Sequence, residues 1–200
     1  MKLTPRLISA VLFVVAVLPV YSQVGPAATQ GGLPITVGVG LSGFDPTNGS
    51  GLLLGGTLWI DYTPTQLPKI LNGLGVEAEA RDLSLNRSSS QPPNLRLDEA
   101  SGGVIYSWRH IQNLRPYGKF LMGYGNIDSM AGSVRIHDSR TVTTLGGGVD
   151  YRVYRNIFVR GDYEYQFWPD YWKSTTPAGS LTPHGFTVGA SYDFGYSRSR

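Results

Sequence analysis

The sequence contains no cysteine. That excludes a disulfide framework, a thiolate metal site and lipid attachment through an N-terminal cysteine. A dominant charge of one sign is also missing. The 200 residues carry 17 Lys and Arg against 14 Asp and Glu, with no basic block, so nothing offers nucleic acid an electrostatic footprint and no nucleic-acid partner is expected. The i, i+3, i+4 spacing of amphipathic helices is nearly absent. No apolar run reaches the roughly 20 residues that a membrane-spanning helix needs.

The one long apolar run lies at the start. Lys2 and Arg6 precede an almost uninterrupted apolar stretch over 7–20, broken by Ser9 and Pro19, and Tyr21-Ser22-Gln23 follows. This is the layout of a secretory signal peptide, expected over 1–22 with cleavage after Ser22. Cleavage leaves 15 basic against 14 acidic side chains, so the mature chain is close to neutral. Residues 23–32, rich in Gly, Pro and Ala, read as a flexible leader.

What the chain has in quantity is 26 glycines, 12 tyrosines and 4 tryptophans, a bias that points to an all-β protein with close backbone approaches. From residue 33 onward, alternation of period two dominates. Eight segments carry it, at about 33–44, 53–62, 74–84, 99–108, 117–125, 141–152, 157–167 and 184–194. Each presents one apolar face, such as Ile35, Val37, Val39 and Leu41, or Phe186, Val188, Ala190, Tyr192 and Phe194. The other face is glycine, hydroxyl or charge, such as Glu77, Glu79 and Arg81, or Arg160, Asp162, Glu164 and Gln166.

A soluble barrel or sandwich would turn the apolar face inward, and a membrane barrel would turn it toward lipid. Segment length favours lipid, because a tilted strand crosses a bilayer in about 9–11 residues. Aromatics such as Tyr62, Tyr106, Trp108, Tyr151, Tyr165, Phe167, Tyr192 and Phe194 gather near segment ends, as interfacial girdles do. Thr187-Val-Gly-Ala-Ser-Tyr-Asp-Phe194, alternating and ending on an aromatic, resembles the terminal signal by which bacterial outer-membrane barrels are recognised for insertion; Thr187, Gly189, Tyr192 and Phe194 carry it. Sheet edges cannot stay open in lipid, so the expectation is an eight-stranded antiparallel up-and-down transmembrane β-barrel over 33–194, with a periplasmic tail at 195–200. Turns near 110–114 and 152–156 should be periplasmic. The longer polar stretches 86–97, 126–140 and 169–181 should be external loops. One pair departs from this rule, a short external loop at 45–51 and a long periplasmic turn at 63–73, the latter with Leu67-Pro-Lys-Ile-Leu71 as a brief helical turn at the interface.

Pro116-Tyr-Gly-Lys-Phe-Leu-Met-Gly-Tyr-Gly125, Leu145-Gly-Gly-Gly-Val-Asp-Tyr-Arg152 and Arg160-Gly-Asp-Tyr-Glu-Tyr165 resemble segments of small bacterial outer-membrane β-barrels related to the OmpA transmembrane domain. The resemblance covers about 33–194 and implies a cell outer-membrane location, a lipid surround and folding by the barrel-assembly machinery. Larger members append a peptidoglycan-binding domain, which is not expected here, where six residues follow Phe194.

Few residues suggest chemistry. Gly38-Val-Gly-Leu-Ser-Gly43 matches G-x-G-x-x-G, but a dinucleotide site would need a helix after it, and a turn-like Phe-Asp-Pro-Thr-Asn-Gly follows. Alternation places Asp61, Glu77, Glu79, Arg81, Lys119, Asp150, Arg160, Asp162, Glu164 and Asp193 on the inner face. An eight-stranded barrel is just wide enough to be filled by side chains, and buried charges must pair. The expectation is a structural charge network of Glu77, Glu79, Arg81, Lys119, Asp150, Arg160, Asp162 and Glu164 that plugs the lumen, Arg81 pairing with the carboxylates of its own strand and Arg160 with Asp162 and Glu164, with a narrow ion conduit as the alternative. Acids outnumber bases in this set, so some are expected to be protonated or to reach water at the rims. Some barrels of this size are outer-membrane lipid-modifying enzymes with Ser/His pairs; His137-Asp-Ser139, read as part of a loop, is the one candidate, and its surroundings do not resemble those enzymes. His110 and His184 have no metal-ligand company. No catalytic residue, metal or cofactor is expected. The external stretches 86–94 and 171–177 suit an extracellular ligand, or simple solvation.

Overall fold

The computed structural model describes residues 33–46, 51–64, 67–85, 95–108, 113–131, 134–171 and 179–195. The expected signal peptide at 1–22, the leader at 23–32, His110, the loop stretch 86–94, residues 172–178 and the tail beyond Gly195 lie outside these. Nine strands form: β1 (Ile35–Asp45), β2 (Leu53–Tyr62), β3 (Leu74–Leu85), β4 (Leu95–Ser107), β5 (Leu114–Ala131), β6 (Val134–Tyr154), β7 (Ile157–Tyr171), β8 (Gly179–Leu181) and β9 (His184–Asp193). Each strand from β1 to β8 pairs antiparallel with its sequence neighbour, and β9 pairs with both β7 and β1. The sheet therefore closes. β8 is the external end of the last stave, separated from β9 by Thr182-Pro183, so the barrel has eight staves. Pro183 brings no ladder donor, which accounts for the interruption.

Alternation sets which way each side chain points. In β2, Thr57, Trp59 and Asp61 are buried while Leu58 and Tyr62 are exposed. Leu41 is 76 % exposed and Trp59 1 %, so the apolar face is the outer one. An encircling band of Val39, Leu58, Val76, Phe120, Leu145 and Val188 is far too continuous for a surface in water. A lipid surround satisfies it, and the soluble-barrel reading fails. Ring pairs lie along the end where β1 begins and β9 ends, with Tyr106–Trp108 centroids 5.0 Å apart and Tyr192–Phe194 4.8 Å. This is the periplasmic end by the rule of short turns. There, β6 and β7 are joined by the two residues Arg155 and Asn156, and a 3₁₀ turn at Lys69–Leu71 exposes Ile70 at the rim.

The structure corrects the expected external loop at 126–140. β5 has 18 residues and β6 has 21, and their ladder continues to Ala131↔Val134. The stretch is a β-ribbon despite its Asn, Asp, Ser and Gly. Cross-strand pairing with a partner of matched length overrides single-residue preference. β6 meets β7 only from Thr143↔Phe167 toward the periplasm, so the ribbon rises beyond the shared wall. β4 likewise begins at Leu95 and β7 runs to Tyr171, shortening the loops expected at 86–97 and 169–181.

Candidate functional site

Among the described residues, the interior is where the chain concentrates chemistry. Inward positions of the strands supply it, and the register stacks their contributions in tiers.

At the periplasmic rim, an Arg115 guanidinium nitrogen lies 3.1 Å from Asp193 Oδ2, and the group stacks 4.2 Å over the Phe158 ring. Deeper, Arg160 donates to Asp150 Oδ1 at 2.8 Å, Glu77 Oε2 at 2.8 Å and Asp61 Oδ2 at 2.7 Å. Its guanidinium carbon sits 4.8 Å from the Trp59 ring and 4.6 Å from the Tyr117 ring. Carboxylates therefore hold its edge and aromatic faces hold its planes, a combination open to arginine and not to lysine.

Above it, the Lys119 ammonium contacts four carboxylates. Glu77 lies at 3.0 Å, Glu79 at 2.8 Å, Asp162 at 2.5 Å and Glu164 at 2.7 Å. Arg81 comes next, paired with Glu79, with Glu164 at 2.7 Å and with Glu99 at 3.6 Å, while its Nε donates to Thr57 Oγ1 at 3.0 Å. Ser42 shares its hydroxyl with Thr57 at 2.5 Å and Thr187 at 2.7 Å.

Gln166 is the junction to a different environment. Its amide donates to Glu99 at 2.6 Å and accepts the Trp168 indole N–H at 3.0 Å. Beyond Trp168 the fully buried inward side chains among the described residues are apolar. Phe44, Leu53, Leu83, Leu97, Ile127, Val142, Trp168 and Leu181 form one buried cluster across the external end. Arg81 touches this cap through the Phe44 ring, 4.3 Å away. Alternation predicts an inner face of glycine, hydroxyl and charge throughout, and here the inner face is apolar instead. Leu53, Leu83 and Leu97 occupy the polar parity of their strands, which was the available signal.

All eight residues of the expected network are buried and meet in this ladder. Glu99 and Arg115 were missed. Glu99 shares the parity of Ser101 within its own segment, and Arg115 that of Tyr117 one step before its segment, so parity alone marks both as inward. The buried set holds seven carboxylates, Asp61, Glu77, Glu79, Glu99, Asp150, Asp162 and Glu164, against three cations, Arg81, Lys119 and Arg160. Glu79, Asp162 and Glu164 bring carboxylate oxygens within 4.8 Å of one another. The Lys119 ammonium already bridges all three, so a metal ion there would have to displace it.

Two inward residues show why glycine recurs. A Cβ at Gly38 would overlap the Trp59 ring, and one at Gly125 the Trp168 ring. These glycines are seats for two of the largest side chains of the lumen. Gly38 and its G-x-G-x-x-G neighbours lie within β1, paired on both sides with β2 and β9, rather than opening a helix that could cradle a phosphate.

The enzyme candidate is dispersed. His137 and Ser139 lie on β6 rather than in a loop. His137 Nδ1 is 2.6 Å from Asp128 Oδ1, whereas Ser139 donates to Asn126 Oδ1 at 2.5 Å. The serine thus spends its proton on an amide, and both groups are exposed. His184 packs beside Tyr163, ring centroids 6.4 Å apart. Of the residues carrying the terminal motif, Thr187 and Gly189 face the lumen, and Tyr192 and Phe194 face outward.

The sequence profile of the outer membrane protein beta-barrel domain matches residues 9–194. The chain belongs to this family. As an outer membrane β-barrel protein it is a transmembrane protein of the outer membrane. Among solved structures it is similar to Neisserial surface protein A, with 13 % identity, TM-score 0.59, and 80 % of this chain and 96 % of that one covered. A major outer membrane protein from Thermus thermophilus aligns with TM-score 0.54 at 13 % identity, over 80 % and 99 % of the two chains. Ail, the attachment invasion locus protein of Yersinia pestis, aligns with TM-score 0.50 at 19 % identity, over 80 % and 96 %. At these identities the likeness is one of fold. No match is found among the curated proteins.

Proposed function

We propose that this outer membrane barrel is a non-enzymatic envelope protein with a closed lumen, contributing to membrane integrity or to surface contact through its external parts. The observation that carries the reading is the filled interior. A charge ladder pairs strand to strand, and an apolar cap of eight side chains lies across its external end. Water and ions do not cross a packed apolar layer without opening it. The β5–β6 ribbon projects from the same end and offers backbone and polar groups for contact.

The barrel-assembly machinery is proposed to recognise Thr187, Gly189, Tyr192 and Phe194, and the signal peptide at 1–22 to be removed during export. N-terminal sequencing of the membrane-inserted protein should then begin at Gln23. The ion-conduit alternative draws on the carboxylate excess. Planar-bilayer recording separates the two: the closed-lumen reading expects no steady ohmic steps, and sustained conductance from the unmodified protein would overturn it. For the lipid-modifying alternative, Ser139→Ala is expected to leave lipid A composition unchanged, because Ser139 is bonded to Asn126 and not to His137.

A further inference from the structure

The buried lumen holds more acid than its cations balance, seven carboxyl groups against three cations among the described residues, and two aspartates stand out within it. Asp61 gives Oδ2 to Arg160 at 2.7 Å, and its Oδ1 is buried with no described donor reaching it. Asp162 gives Oδ2 to Lys119 at 2.5 Å, and its Oδ1 is likewise buried without a donor. Each aspartate lies against a glutamate. Asp61 faces Glu77 directly across the β2–β3 ladder and is hydrogen-bonded to it. Asp162 is hydrogen-bonded to Glu164, two residues along β7. An ionised carboxylate only accepts, so a hydrogen bond between two carboxyl groups requires a proton on one of them.

We propose that the lumen binds two protons as structural ligands, one between Asp61 and Glu77 and one between Asp162 and Glu164, each carried by the aspartate. The cations decide which partner holds the proton. Glu77 meets Lys119 at 3.0 Å and Arg160 at 2.8 Å, and Glu164 meets Lys119 at 2.7 Å and Arg81 at 2.7 Å. Each aspartate meets one cation, Arg160 or Lys119. Two adjacent carboxyl groups do not both ionise cheaply, and the one with more positive neighbours keeps its charge. The surroundings supply no unpaired cation among the described residues. Around Asp61 stand Glu77 on β3, Asp150 on β6 and Arg160 on β7, and Arg115 of β5, which lines the same pocket, is paired with Asp193. Around Asp162 stand Glu79 on β3, Tyr117 and Lys119 on β5, and Glu164. That pocket, with room for about one water, borders Asp61 on the periplasmic side, so its proton exchanges with solvent without opening the external cap.

The test is infrared spectroscopy of the barrel folded in detergent, in heavy water at neutral pH, where a protonated carboxyl shows a C=O stretch separate from the carboxylate bands. That band is expected in the unaltered protein, weaker in Asp61→Asn and in Asp162→Asn, and weakest in the double variant. Asparagine keeps the shape and donates an N–H where the acid donates its O–H, so these variants should fold and hold their melting temperature. Glu77→Gln and Glu164→Gln each take an anion away from two cations and should lower it. A proton held by the folded barrel and given up by the unfolded chain makes stability fall as the pH rises. Between about pH 6 and pH 9 the unaltered barrel should therefore lose melting temperature, and the double aspartate variant should lose less. The proposal is overturned by the absence of a carboxyl band, by a band undiminished in the double variant, or by aspartate variants that fail to fold or melt below the glutamate ones. It rests on the filled lumen of the closed-barrel reading, yet the two fail separately: steady conductance would remove that reading and leave the band in place.

Discussion

At its external end the lumen is closed by eight apolar side chains that require only contact, whereas toward the periplasm it is filled by side chains that each require a particular partner. The contrast is one of tolerance. In the cap, Leu83 or Val142 can be exchanged for another hydrophobe of similar volume at modest cost. In the ladder, Arg160 serves Asp61, Glu77 and Asp150, and Lys119 serves four carboxylates. Removing one cation there strands several anions at once. The cap is a locally determined layer, and the ladder is a cooperative one whose members lie on β2, β3, β4, β5, β6 and β7.

That contrast is open to direct attack. The largest effect is expected from Arg160→Met, which keeps volume but orphans three carboxylates and both aromatic faces; breaking a buried pair costs about 3–5 kcal/mol. Unfolding of the detergent-solubilised barrel, read by the mobility difference between heated and unheated electrophoresis samples, should move by that amount, and a neutral result would mean the anions are already hydrated. Trp168→Ala, in the cap, should cost about 3 kcal/mol through the cavity it leaves, and Trp168→Phe should recover most of it; a cap that tolerated alanine would not be a packed layer. Gly38→Ala tests the seat of Trp59 at the boundary of the Arg160 tier, with an overpacking loss of about 1–3 kcal/mol in the same assay. The smallest effect belongs to Arg96→Ala. Its pairs with Asp82 at 2.9 Å and Asp98 at 3.1 Å are part-exposed, and screened pairs of this kind contribute at most about 0.5–1 kcal/mol. A larger loss would mean that the external rim behaves like the interior.

Much of this was legible in the chain, and for a physical reason. A membrane barrel repeats one rule, alternation of lipid and lumen faces, so each strand announces itself and the inward charges follow by parity. Three things escaped. The ribbon at 126–140 reads as loop because its residues favour turns one at a time, and only the matched strand beside it makes them a ladder. The cap escaped because leucines at the polar parity of Leu53, Leu83 and Leu97 look like lapses in alternation when each strand is read alone; they become a layer only when register brings them to one height. Most of the pairings escaped: Arg81 does meet Glu79 of its own strand, but Arg160 turns to Asp61, Glu77 and Asp150 rather than to Asp162 and Glu164 beside it. Arg160 and Asp61 are 99 residues apart in sequence, and which carboxylate faces which cation depends on the stagger of the closed sheet. Periodicity within one strand carries no information about that stagger.

The position of Lys119 has a consequence for timing. Its strand, β5, stands between β3, which supplies Glu77 and Glu79, and β7, which supplies Asp162 and Glu164, on opposite sides of the ring. In the closed ring, completed at the seam between β1 and β9, those two walls come within reach of one ammonium. In an open sheet, charges without these partners would be costly to take out of water. The ladder's ion pairs are therefore expected to form as the first and last strands meet, so that Lys119→Met should slow closure of the barrel, followed as the appearance of the faster-migrating band in unheated electrophoresis samples, as well as destabilise it.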